Sequence, residues 1–290
     1  MLKNDKTKGI IYIIISAFFF ALMGLFVKLS GDLPIIQKSF FRNAVAMIFA
    51  FVVITKNHSW ELPKGKNIKY LLIRSIAGTL GILCNFYAVS QINLADASML
   101  NKLSPFFAIV FSIFILKEKA SLKQFLAVTL AFIGALFVMK PSFSFDALPG
   151  FLGFLGGLAA GLAYAYVRKL TQNGFKGPLV VFYFSMFSCV ATLPWLIFDY
   201  TPMTPIQWLY LILAGLSASG GQFFITAAYS KAPAKEISVY DYSQIIFTTV
   251  LSLIVFGDLP DALSFVGYAI IISAAIFNAY NSLKAQKKSS

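Results

Sequence analysis

Tyr70–Ser90 reads YLLIRSIAGTLGILCNFYAVS, and 140 residues further on Tyr210–Ser230 reads YLILAGLSASGGQFFITAAYS. Each stretch is predominantly apolar and, at ~1.5 Å per residue, long enough to cross ~30 Å of hydrocarbon as a helix. Tyr70 meets Tyr210, Leu71 meets Leu211, Gly81 meets Gly221, Ala88 meets Ala228 and Ser90 meets Ser230. Outward from this pair, the same offset lays residues 70–137 over 210–277 without a gap. It brings Ser98 over Ser238, Phe107 over Phe247, Ser112 over Ser252 and Phe125 over Phe265, and the acids Asp96 over Glu236 and Glu118 over Asp258. A one-residue adjustment sets Lys28-Leu29 over Lys169-Leu170. The identities are sparse; the unbroken register through three spans and their loops marks an internal repeat.

Reading the rest of the chain for stretches of this length predicts spans at 10–30, 34–55, 69–91, 95–116, 121–140, 149–168, 178–198, 206–230, 234–256 and 262–283. The expected fold is therefore an all-α membrane protein of ten transmembrane helices. Five spans fall in each half, 1–141 and 142–290. Five is odd, so the second half enters the membrane from the opposite side, which makes two five-helix inverted-topology repeats, a construction many secondary transporters use.

The charges follow the same alternation. With the N-terminus on one side, 19 of the 24 Lys and Arg lie on that side, in its gaps or at the adjoining ends of spans (Arg74 counted among them), and Lys140 alone lies opposite. The positive-inside rule then places both termini in the cytoplasm. A composition of 59% hydrophobic and 12% charged residues, with a mean hydropathy of +0.79, excludes a soluble domain. The net charge of +13 is accounted for by the cytoplasmic gaps, so nucleic acid is not an expected partner. Asp32, Asp146, Asp199, Asp258 and Asp261 fall in the outer gaps. Cys84 and Cys189 lie within spans and read as small core residues, not a disulfide.

Ionisable groups retained near the midplane are site candidates, because each is costly in hydrocarbon. Counting along the spans puts Arg42 in span two, Lys102 in span four and Asp241 in span nine within a turn or two of the centre. Asp241, the one deep acid, falls over Asn101 in the repeat. Arg42, Lys102 and Asp241 are expected to line a substrate pathway; the competing reading is an Arg42–Asp241 or Lys102–Asp241 ion pair that only fastens the bundle. Asn85, Tyr87, Ser98, Asn101, Tyr164, Gln222 and Tyr240 complete the candidate substrate-binding set, with Tyr164 and Tyr240 suited to stacking on an organic substrate. Arg74 reads equally as a gate or an anchor, and Lys28 and Lys38 sit where they can snorkel to the interface. Asp96 and Glu236 begin spans four and nine, where an acid complements the helix dipole.

Gly150, Gly153, Gly157 and Gly161 form a small-residue stripe on span six, and Ala214–Gly221 a second cluster on span eight, both suited to close packing or to sliding. Pro105 and Pro194 are expected to kink spans four and seven. His58, the single histidine, lies in a loop, so no His-based metal site is expected. There is no Walker A motif, serine elbow or CxxC pair. Neither a cofactor nor an enzymatic activity is expected.

The stretch LADASMLNKLSPFFAIVFSIFILKEK (94–119), with its internal proline and its Leu116-Lys117-Glu118 ending, the run FIGALFVMKP (132–141), and APAKEISVYDYSQIIFTTVLSLIVFGDLPD (232–261) together resemble the drug/metabolite transporter superfamily in its EamA-repeat branch. The second half departs from the pattern in carrying Gly257-Asp258 for Gly-Glu and Ile245 in place of a second proline. Phe40-Phe41-Arg42 and Arg74 resemble members that carry amino acids or S-adenosylmethionine. The resemblance implies a secondary transporter of the cytoplasmic membrane with a central cavity shared by both halves.

The expected function is secondary active transport, by alternating access, of a small polar organic metabolite. An amino-acid-like zwitterion would place its carboxylate on Arg42 and Lys102 and its amine on Asp241. If Asp241 is spent on an internal pair, surplus positive charge favours an organic anion instead. Asp241 is also the candidate for ion coupling. The alternatives are a flippase for lipid-linked intermediates and multidrug or metabolite efflux. The expected partners are a small-molecule substrate and the lipid bilayer, and the chain is expected to work as a monomer.

Overall fold

The computed structural model describes residues 2–91, 100–139, 147–257 and 259–287. These residues form helices and connecting turns, with no strand among them. The helices are α1 (Leu2–Leu29), α2 (Ile35–Lys56), α3 (Lys66–Gln91), α4 (Ser104–Leu116), α5 (Leu122–Met139), α6 (Ala147–Gln172), α7 (Gly177–Phe198), α8 (Pro205–Lys231), α9 (Ala234–Phe256) and α10 (Ala262–Lys287). Eight are long and apolar enough to cross a membrane, and α4 and α5 are shorter apolar helices, which fits the expected ten. Large apolar side chains such as Phe114, Phe198 and Ile254 point outward, while Arg42, Asn43, Arg74, Lys102, Gln222 and Asp241 are buried. A water-soluble chain does the reverse; here the solvent of the outer surface is lipid.

Connections are short because each helix end is finished locally. Thr204 opens α8 with a capping box, accepting from the Gln207 backbone while the Gln207 side chain accepts from the Thr204 N–H. Proline starts α4, α7 and α8, where a missing N–H costs nothing.

Small residues decide which helices meet. α8 is the most enclosed of the eight long spans, because Gly220 and Gly221 let the rings of Phe19 and Phe20 from α1 lie directly on it, and Ser16 donates to the Gly221 carbonyl. The glycine stripe of α6 receives two neighbours: Gly156 lies against Gly81 and Asn85 of α3, and Gly161 against Phe107 and Ala108 of α4. α5 and α10 cross at Gly134 and Gly267. α2 and α7 run antiparallel, with Asn43 bonded to Ser188 at 2.9 Å and Gln37 exchanging bonds with the Thr201 backbone. The principal pairs are α1 with α8, α3 with α6, α4 with α6, α1 with α9, α2 with α7, α5 with α10, α2 with α8 and α3 with α7.

Two helices are interrupted. α9 is α-helical over Ala234–Ile237 and Ser243–Phe256 and tightens to a 3₁₀ turn at Ser238–Tyr242. Leu100 and Asn101 are helical, Lys102 and Leu103 form a turn, and α4 begins afresh at Ser104. Pro105 therefore does not kink a running helix as expected; it sits in the first turn of α4, where its ring clashes with nothing. Pro194 is inside α7, as expected.

Both chain ends meet the start of α9: Lys6 pairs with Glu236 at 3.6 Å, and Asn278 of α10 donates to the Glu236 carbonyl at 3.1 Å. The two termini thus share one end of the bundle.

Candidate functional site

The interruptions of α4 and α9 face each other. The Lys102 ammonium donates to Asp241 Oδ2 at 3.1 Å, to the Asp241 carbonyl at 3.4 Å and to Gln244 Oε1 at 2.7 Å. In return the Tyr242 hydroxyl donates to the Lys102 carbonyl at 2.8 Å. Broken helices leave carbonyls without their intrahelical donors; here each break supplies a side-chain donor to a carbonyl of the other. The repeat offset places Lys102 over Tyr242 and Asn101 over Asp241, so the Tyr242–Lys102 bond joins repeat-equivalent positions and the Lys102–Asp241 pair joins neighbours of them.

Beside this crossing is a cavity of about 130 Å³, lined by Phe20 and Met23 of α1, Arg42 of α2, and Arg74, Gly78, Asn85 and Phe86 of α3. Asn101, Lys102, Ser104 of α4, Tyr164 of α6, Phe184 of α7, Gln222 of α8, and Asp241 and Gln244 of α9 also line it. Arg42 and Arg74 are only 5% and 2% exposed. The Arg74 guanidinium lies 4.0 Å from the centre of the Phe184 ring and donates to Gln222 Oε1 at 3.3 Å. Among the described residues, neither arginine pairs with a carboxylate, and the Nε of each, together with Asn85 Oδ1, is buried without a hydrogen-bond partner. A buried charge is ordinarily paired. The cavity instead presents two guanidiniums, while its one carboxylate is taken by Lys102.

Below the cavity, toward the end of the bundle that carries the termini, Tyr164 stacks on Tyr229 with ring centres 5.1 Å apart, and the Tyr229 hydroxyl lies 3.4 Å from Ser238 Oγ. Arg168 then holds Glu118 at 2.6 Å and donates to the Tyr229 carbonyl at 3.0 Å. Lys231–Asp5 and Lys6–Glu236 pairs follow at the rim.

The structure brings together Arg42, Asn85, Asn101, Lys102, Tyr164, Gln222 and Asp241 of the sequence candidates. Ser98 lies outside the described residues. Tyr87 is on the other face of α3, 39% exposed, in a separate pocket with Cys84 and Trp195. Tyr240 turns away to donate to the Ala275 carbonyl of α10. Arg74, counted from sequence with the charges of the cytoplasmic gaps, is instead inside the cavity, because Gly78, one turn further along α3, leaves it room. Gln244 was marked by its place one turn after Asp241; Phe184 carried no signal among 31 phenylalanines.

Residues 7–140 and 148–280 each match the sequence profile of the EamA-like transporter family. The chain is 30% identical over 271 residues to the pseudopaline exporter CntI of Pseudomonas aeruginosa (strain UCBPP-PA14), covering 92% of this chain and 94% of that protein. It is 23% identical to the S-adenosylmethionine uptake transporter of Rickettsia felis, covering 87% and 83%. A crystal structure of 14% identity superposes with a TM-score of 0.80 over 98% of this chain and 99% of that one, a likeness of fold alone.

Proposed function

The chain belongs to the EamA-like transporter family and is a multi-pass membrane transporter, and from that premise we propose that it is a secondary carrier of a small organic anion, working by alternating access across the cell membrane. The observation that carries this reading is the pair of buried arginines without a carboxylate partner among the described residues. Two desolvated cations are unfavourable unless an anion joins them, and guanidiniums offer paired donors that match a carboxylate. Asp241 is held by Lys102, so an amine on the substrate has no free acid to meet in this state. The organic anion is therefore preferred over the zwitterion. Residues from α1, α2, α3, α4, α6, α7, α8 and α9 surround the cavity, which suits a solute in a central passage better than a lipid-linked intermediate entering from the bilayer.

Two features support inverted repeats and alternating access. Exchanging each helix for the one five places on converts α1–α8 into α6–α3, α4–α6 into α9–α1 and α2–α8 into α7–α3, and leaves α2–α7 and α5–α10 unchanged. The closure below the cavity breaks this symmetry: α6 and α8 pack together at Tyr164–Tyr229, whereas their counterparts α1 and α3 make at most marginal contact and flank the cavity with Phe20, Met23, Asn85 and Phe86. This asymmetry supports a carrier closed at the end that holds the termini and open at the other. With both termini cytoplasmic, the closed side is the cytoplasmic one and the open side faces out. Asp241 is the coupling group in this reading, since protonation would release it from Lys102.

Counterflow of labelled organic acids in proteoliposomes tests the proposal. Saturable exchange is expected for the wild type, with at least about a tenfold loss, worth ~1.4 kcal/mol of binding, in Arg42→Ala and Arg74→Gln proteins that still purify as single species. Normal exchange in both variants would remove the arginines from the site.

A further inference from the structure

We infer that the substrate of this cavity is a doubly charged anion, carrying two negative charges on oxygen atoms close enough together to engage both arginines. The inference rests on the anion-carrier reading and goes further by specifying charge. Among the described residues the cavity lining holds three cations, Arg42, Arg74 and Lys102, against the single carboxylate of Asp241, a formal charge of +2. Lys102 is fully engaged, with Asp241 Oδ2, the Asp241 carbonyl and Gln244 Oε1 as its three acceptors. The unbalanced charge is thus located on the guanidiniums. Arg74 is oriented by the Phe184 ring and Gln222, neither of which carries charge, and both Nε donors are left without an acceptor. The two guanidiniums line one cavity, and like charges sharing one desolvated site repel.

A monoanion would balance one cation and leave the other uncompensated. A zwitterion would bring no net charge and would set its ammonium against two guanidiniums. A dianion balances both, and four or more acceptor lone pairs can meet the forked donors. Two chemistries fit, a dicarboxylate and a phosphate monoester, which share two negative charges on oxygen.

Titration of the purified protein with butyrate, succinate, γ-aminobutyrate and glycerol phosphate, at low ionic strength, tests this. The first three share a chain length and differ in charge. Succinate or glycerol phosphate is expected to bind at least about tenfold more tightly than butyrate and γ-aminobutyrate, and whichever of the two is tighter identifies the chemistry. In Arg74→Gln the advantage of the dianion should shrink to within about threefold of butyrate. The wild-type series decides the matter even if that variant does not fold. Equal binding of butyrate and succinate overturns the dianion and leaves the anion carrier standing. Tightest binding of γ-aminobutyrate, or binding of none of the four, overturns both.

Discussion

At the scale of single residues, the arginine that sequence reasoning placed with the loop charges depends on a missing side chain. A Cβ built on Gly78 would overlap the Arg74 Nη1 atom and stand 2.7 Å from the Phe184 ring. Gly78 is one turn after Arg74 on α3, so its hydrogen leaves the slot through which the guanidinium lies back on the ring. A mid-helix glycine ordinarily costs about 0.5–1 kcal/mol relative to alanine, so this one is retained against local propensity. Gly78→Ala is expected to displace the Arg74 guanidinium and press on the buried Phe184 ring. It should still purify as a single species with a lowered melting temperature, while weakening succinate or glycerol phosphate binding about tenfold. Titration beside a melting curve measures both. Unchanged affinity in a well-folded variant would show that the position of Arg74 on Phe184 does not matter for binding.

At the scale of elements, the informative pair is α4 and α9. Proline predicted a distortion in the first and nothing comparable in the second, where Ile245 takes its place. Both are nonetheless interrupted, at Lys102–Leu103 and at Ser238–Tyr242. The reason is tertiary: the Lys102 ammonium and the Tyr242 hydroxyl satisfy carbonyls of the opposite helix, so each break stabilises the other. Removing one member of the buried Lys102–Asp241 pair leaves the other charge uncompensated, which typically costs about 3–5 kcal/mol. Lys102→Met and Asp241→Leu should therefore each melt well below wild type, and the double variant should recover most of the loss. If the pair only fastened the bundle, the double variant would also transport normally. A coupling role predicts instead that it keeps counterflow but no longer accumulates substrate when a pH gradient is imposed. Accumulation by a stable double variant would exclude Asp241 as the coupling group.

At the scale of the whole molecule, placing both termini in the cytoplasm makes a direct prediction. In a background with Cys84 and Cys189 replaced by Ser, single cysteines at Asp32 or Pro202 should react with an impermeant thiol reagent on intact cells. Cysteines at His58 or Lys66 should react only after permeabilisation. Labelling at Lys66 from outside would invert the orientation. The membrane character, the helix count and the approximate ends of the helices were legible in the sequence. They depend on quantities additive along the chain: apolar length against a hydrocarbon of known thickness, charge in the gaps, and local caps such as Thr204. Most of the polar lining was legible too, because a buried charge at mid-span is too costly to keep without a use. The partners were not. Whether Asp241 meets Arg42 or Lys102, whether Tyr87 and Tyr240 turn toward the cavity or away, and whether Arg74 ends at the rim or at the centre depend on how each helix is rotated against its neighbours. Glycines such as Gly78, Gly156 and Gly221 set those rotations by admitting a neighbour's side chain or backbone. The linear chain determined that charge would be buried at the centre of a helical membrane bundle. Packing between helices distant in sequence decided that one lysine and one aspartate would neutralise each other there while two arginines met no carboxylate among the described residues.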